Sequence, residues 1–133
     1  MELYIGGKSQ GKLTYVQRKK GMLPVADGRY CRTEDAFNEP MVNHFHLLIM
    51  RIMREEGNVM DYVHEIIQKN PEVILISDEV GSGVTPIDPF ERRYREAVGF
   101  AVSMAVSHRP MTVPVCLSIP VYSSEESSYR LNL

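Results

Sequence analysis

Gly6-Gly7-Lys8-Ser9-Gln10-Gly11-Lys12-Leu13 carries the spacing of a phosphate-binding loop: a glycine, four residues, then Gly-Lys. Glycines at these points let backbone N–H groups turn inward around phosphate oxygens, and a helix starting behind them adds the positive end of its dipole. Lys12 would reach the terminal phosphates and offset the charge that develops as a γ-phosphoryl group transfers. Position 13 departs from the pattern. Ser or Thr there normally offers magnesium a hydroxyl, and Leu13 has no oxygen to give. Thr14 lies roughly 100° further round a helix, suited to a phosphate contact rather than to replacing that ligand. The plainer alternative is a strand-to-helix turn with a solvent-exposed lysine.

A second group of chemical interest is Ser77-Asp78-Glu79, directly after the apolar run Val73-Ile74-Leu75-Ile76. Carboxylates at the C-terminal end of a buried strand stand where open α/β sheets bind their ligands. Asp78 and Glu79 are therefore the candidate magnesium ligands, and Glu79 is also the candidate to orient an attacking hydroxyl. The plainer alternative is a pair of acids capping local backbone amides.

The elements that must hold these residues are legible in the apolar pattern. Leu3-Tyr4-Ile5 reads as a strand running into the loop, and Lys12 to Lys20 as a helix closed by Gly21. Met22 to Ala26 reads as a second strand with Asp27-Gly28 as its turn, whereas residues 29–40 show no pattern. Phe45, Leu48, Ile49, Ile52 and Met53 recur at helical spacing up to Gly57. Asn58 then caps a helix whose apolar face is Val59, Tyr62, Val63, Ile66 and Ile67, and Asn70-Pro71 ends it. Val73 to Ile76 suits a strand buried on both faces. Asp88, Pro89 and Glu91 open a last helix with an apolar face from Phe90 to Ala105, and Val113 to Tyr122 reads as a final strand. Strands alternating with helices predict an α/β fold, an open and mostly parallel sheet with flanking helices in one domain over 1–133.

Composition narrows the function classes. Fifteen basic against seventeen acidic residues give a net charge of −2, which argues against a nucleic-acid binder held by bulk electrostatics. No apolar run approaches 18 residues and the N-terminal stretch lacks a signal-peptide pattern, so the expectation is a cytoplasmic protein without a membrane partner. Cys31 and Cys116 make neither a disulfide framework nor a zinc site.

Taken together, Gly6-Gly7 to Lys12, Ile76-Ser77-Asp78-Glu79-Val80-Gly81-Ser82-Gly83-Val84-Thr85-Pro86 and Glu91-Arg92-Arg93-Tyr94-Arg95-Glu96-Ala97-Val98-Gly99 resemble the adenosylcobinamide kinase / adenosylcobinamide-phosphate guanylyltransferase family of cobalamin biosynthesis. The second string follows that family's Ser-Asn-Glu-Val-Gly-x-Gly-(Ile/Val)-x-Pro motif, with Asp78 where Asn is usual, and the likeness is best over residues 73–99. The resemblance implies a P-loop (RecA-like) fold, a homo-oligomer, GTP or ATP with Mg²⁺ as cofactors, and adenosylcobinamide as the corrinoid substrate. It implies that Gly6, Gly7, Lys8, Ser9, Gln10, Gly11, Lys12, Leu13 and Thr14 hold the nucleotide, with Lys12 and Glu79 catalytic.

The histidine that carries GMP in that family has no counterpart, because Val25 to Pro40 contains no histidine. The expected activity is therefore phosphorylation of adenosylcobinamide with the guanylyl step lost; the alternative is a non-catalytic nucleotide-binding protein of regulatory role. His44 and His46, which flank Phe45, are read as partly exposed strand-end residues, and His64 and His108 as surface residues.

Overall fold

The computed structural model describes residues 1–7, 11–80 and 88–107. Lys8, Ser9 and Gln10, the motif stretch 81–87, and the chain from His108 onward, with the expected last strand and Cys116, lie outside the described residues.

The elements run β1 (Glu2–Gly6), α1 (Lys12–Lys20), β2 (Val25–Asp27), β3 (Met41–Asn43), α2 (Phe45–Arg54), α3 (Val59–Lys69), β4 (Ile74–Asp78) and α4 (Pro89–Ser107). The four strands form one all-parallel sheet in the order β1-β4-β3-β2, an α/β architecture flanked by helices. Parallel neighbours need crossovers rather than hairpins, so every connection must travel across a face of the sheet.

The pleat divides the strand side chains between two layers. Leu3, Val42 and Leu75 join Phe45, Leu48 and Ile49 of α2, Tyr62, Val63 and Ile66 of α3, and Tyr94, Val98 and Ala101 of α4. Tyr4, Met41, Ile74 and Ile76 face the other way and meet Val16 and Leu13 of α1. Among the described residues one face is thus covered by three helices and the other by one. β4 sits between β1 and β3, which is why its sequence is apolar without alternation: both faces of the strand are buried.

Local signals place the helix ends. Asn58 Oδ1 accepts from Asp61 N at 2.9 Å to start α3, and Asp88 Oδ1 accepts from Phe90 N at 3.0 Å ahead of α4. α2 closes sooner than its glycine suggests. Gly57 N donates to Ile52 O at 2.8 Å and Glu56 N to Met53 O at 2.9 Å, so Glu56, not glycine, takes the left-handed position at φ 61°.

Three expectations change. β2 begins at Val25 and runs through Asp27, while Met22 is 80% exposed and no part of the strand. Asp27 ends the strand and opens the expected turn, its O accepting from Tyr30 N at 2.9 Å and from Cys31 N at 2.8 Å. The patternless stretch contains a short 3₁₀ turn, Thr33–Phe37, held from outside: Tyr62 Oη donates to Thr33 O at 2.8 Å, and Asn70 Nδ2 to Ala36 O at 2.9 Å and Glu39 O at 2.8 Å. His46 is buried within α2, not a partly exposed residue at a strand end. No helix among the described residues is long and apolar enough to cross a membrane.

Candidate functional site

The chain leaves β1 toward α1 on one face and leaves its neighbour β4 toward α4 on the other. Adjacent parallel strands whose continuations part in this way open a crevice beyond their C-terminal ends. Gly6 and Asp78 are in register there, and Glu79 N donates to Gly6 O at 2.8 Å. A cleft of about 560 Å³ opens at this edge, lined by Gly11, Lys12, Leu13 and Thr14 on one side, Asp78, Glu79 and Val80 at its base, and Arg29, Asn43, His44, His46 and Leu47 on the other.

Gly11 starts α1 from a left-handed conformation (φ 74°, ψ 25°), which a side chain would oppose. That reversal turns the next residue inward. Lys12 is only 6% exposed, and its Nζ donates to Gly7 O at 2.7 Å and to Asp78 Oδ1 at 2.6 Å. The picture of a solvated turn lysine therefore fails: this ammonium is held across the C-terminal ends of β1 and β4. The first turn of α1 has no acidic side chain, whereas Arg18, Lys19 and Lys20 occupy its last turn. No side chain of that first turn supplies a counter-charge to the positive end of the helix dipole. Leu13 is half-buried against the α1 layer, and Thr14 is exposed on the cleft wall.

Asp78 meets a second partner that the sequence did not announce. Its backbone N–H donates to His46 Nδ1 at 3.1 Å, and its Oδ2 lies 3.3 Å from His46 Nε2. A backbone N–H can only donate, so Nδ1 carries no proton and Nε2 carries the ring hydrogen. Both nitrogens are used on Asp78, and both Asp78 oxygens are engaged, one by Lys12 and one by His46. Nothing local flags His46: Asp78 lies 32 positions away, and only the β3–β4 pairing brings α2 to it.

Burial pushes the His46 imidazole below its ordinary value of 6.5; Asp78 opposes the shift, and His44 and Lys12 add to it. In the window just below pH 6.5 the unfolded chain binds a proton that the folded chain refuses. Stability is thus complete above that value and falls as pH drops from it toward the folded value. Denaturant midpoints measured between about pH 7 and about pH 5 should decline, and His46→Asn, which keeps an acceptor for Asp78 N–H, should decline less.

α4 secures this histidine from behind. Tyr94 Oη, whose pKa burial pushes up to about 12, donates to His46 O at 3.1 Å. Tyr94→Phe is expected to cost about 1 kcal/mol, read as a lower urea midpoint with an unchanged slope.

The opposite wall carries another cluster that sequence reading missed. Asp27 Oδ1 accepts from Arg29 N at 3.0 Å and lies 2.9 Å from His44 Nδ1, while Oδ2 takes Arg29 Nη2 at 3.3 Å. Burial pushes the Asp27 carboxyl up, but hydrogen bonds from Arg29 and His44 outweigh it and hold the group below its usual range. His44 occupies a left-handed conformation (φ 56°, ψ 44°), uncommon for a residue with a side chain. Its O comes against the glycine at position 28, where a Cβ would lie 2.2 Å from it. The available signal was Asp27-Gly28, which was read as a turn.

No protein-family model matches the chain, and no curated protein matches it. The site must be judged on its own chemistry. It offers an anion a buried ammonium, a helix start with no acidic side chain in its first turn, and exposed Thr14. Among the described residues no group of three His, Cys, Asp or Glu side chains could hold a metal ion by itself. Magnesium that travels with a nucleotide draws most of its ligands from phosphate and water, and one carboxylate suffices from the protein. Exposed Glu79 on the cleft fits that need better than Asp78, whose oxygens are both taken. His64 is exposed on α3, as expected.

Proposed function

We propose that the cleft binds GTP or ATP and transfers the γ-phosphoryl group to the hydroxyl of adenosylcobinamide, in a P-loop domain of the RecA-like kind. The observation that carries this reading is Lys12, buried behind Gly11 with its ammonium between Gly7 O and Asp78 at the ends of adjacent parallel strands. A triphosphate entering beside the start of α1 would draw that ammonium from Asp78 onto its terminal oxygens, exchanging one anionic partner for another. Transfer then needs charge neutralisation and alignment more than covalent chemistry from the protein, which is what a positioned lysine and a carboxylate-held magnesium supply. The corrinoid acceptor follows from the motif likeness over residues 73–99, and the same likeness supports association of like copies.

Purified protein incubated with adenosylcobinamide, magnesium and GTP or ATP, followed by mass spectrometry, tests the reading. A product heavier by one phosphoryl group, absent with Lys12→Ala, is the expected result. A GMP-bearing product or protein would overturn the loss of guanylyl transfer.

Leu13 favours a second reading, nucleotide binding without turnover. Its side chain packs toward Tyr4 and Val16 and brings no oxygen to the position where magnesium is usually held. Magnesium-independent affinity with no phosphorylated product would select that reading.

A further inference from the structure

The geometry points to His44, oriented by Asp27, as the general base that removes the proton from the acceptor hydroxyl during phosphoryl transfer. This rests on the proposed kinase reading and moves the hydroxyl-activating role from Glu79 to the opposite wall of the cleft.

The two histidines of the cleft are not equivalent. His46 spends both ring nitrogens on Asp78, so it has no lone pair to offer. His44 spends only Nδ1, 2.9 Å from Asp27 Oδ1. Asp27 is held ionised by Arg29, and an ionised carboxylate only accepts, so His44 Nδ1 is the donor in this contact. The neutral ring then keeps its lone pair on Nε2, in a residue that lines the cleft. An ionised carboxylate on the far nitrogen also stabilises the imidazolium that forms when Nε2 takes a proton.

Position and strain agree with this role. The His44 and His46 ring centroids are 6.0 Å apart, His46 lies against Asp78, and His44, Asp78 and Lys12 line one cleft. An acceptor alcohol bound in that cleft would share it with both the base and the ammonium. The left-handed backbone at His44 is uncommon for a residue with a side chain, and His44 holds it while bonded to Asp27 and lying against residue 28. In the step, the acceptor O–H bond breaks and its proton passes to His44 Nε2. The oxygen forms a bond to the γ-phosphorus, and the bridging P–O bond breaks with its electron pair leaving on the nucleoside diphosphate. The imidazolium returns its proton to water.

The test uses two substitutions that the left-handed position tolerates. His44→Gly removes the ring and relieves the backbone; His44→Asn keeps an N–H for Asp27 but has no distal nitrogen. Both should bind nucleotide like the unaltered protein and phosphorylate adenosylcobinamide about 100-fold more slowly. Added imidazole should restore turnover to His44→Gly and not to His44→Asn, where the amide fills the space. Asp27→Asn should lower kcat about tenfold with KM held, the mark of a positioning residue. Full activity in His44→Asn, or failure of imidazole to restore His44→Gly, overturns the base assignment while leaving the kinase reading intact. Absence of phosphorylated product from the unaltered protein overturns the kinase reading, and the base role with it.

Discussion

Lys12→Ala is expected to lower turnover at least a thousandfold, about 4 kcal/mol of transition-state stabilisation. The size follows from where the ammonium sits: 6% exposed, it acts through a poorly screened environment, and among the described residues no other lysine lines the cleft. The same change strands the Asp78 carboxylate beside a neutral imidazole, so part of any loss could come from stability rather than chemistry. A double substitution separates the two. Adding Asp78→Asn to Lys12→Ala removes the orphaned charge and should recover much of the melting temperature, yet turnover should stay absent. Steady-state kinetics and thermal melts on the four proteins of this cycle give the answer. Retained turnover in Lys12→Ala would leave the kinase reading without its central residue.

The second large effect lies away from the phosphate wall. Gly28→Ala is expected to destabilise the protein by about 3 kcal/mol, with a melting temperature lower by roughly 10 °C. The added Cβ would lie 2.2 Å from His44 O and 3.0 Å from both Asn43 O and His44 C. All three are backbone atoms, so no rotamer change relieves the contact. The chain at 28 would have to part from β3, breaking the 2.7 Å bond from Gly28 N to Asn43 O and straining the 2.8 Å bond from Arg51 Nη1 to Gly28 O. Gly99→Ala supplies the contrast. Gly99 is inside α4, exposed, with nothing within 4 Å of a built Cβ, so the same substitution should stabilise by about 0.5–1 kcal/mol. Denaturant melts of the two variants should therefore move in opposite directions. If Gly28→Ala melts with the unaltered protein, the close approach of β2 and His44 is wrong.

Much of this fold is written locally. The apolar runs at 3–5 and 73–76 become β1 and β4, Asn58 caps its helix, and Tyr94, Val98, Ala101 and Ala105 are the buried stripe of α4. These features depend on neighbours within a turn or two, so the pattern carries them. What escaped notice depends on distant partners. The 3₁₀ turn at 33–37 answers to Tyr62 and Asn70, and the burial of His46 answers to Asp78 and Tyr94. No window of local sequence contains both ends of those bonds. At the site, glycine spacing located Lys12 and strand-end acidity located Asp78. The pairing of Lys12 with Asp78 and the whole His44–Asp27 wall required the strand order. Asp27 and His44 were hidden for a particular reason: Asp-Gly announces the turn that does follow β2, and that local signal says nothing of the carboxylate meeting His44 or of the glycine lying against its backbone.

The place of β4 has a consequence for how the chain acquires its shape during synthesis. Among the described strands, β1 touches only β4, and β4 alone links β1 to the β2–β3 pair. Among the described residues Glu2 therefore waits for Ile74 before it has a strand partner. A nascent chain that has emerged only through α3 holds two pieces of sheet with nothing between them, and its longest-range contacts form last. Closure by β4 joins the described strands into one sheet and delivers Asp78 to Lys12 and His46 in the same event. The Asp27–His44 pair needs only β2 and β3, whereas the cluster of Lys12, Asp78 and His46 comes together only when β4 takes its place.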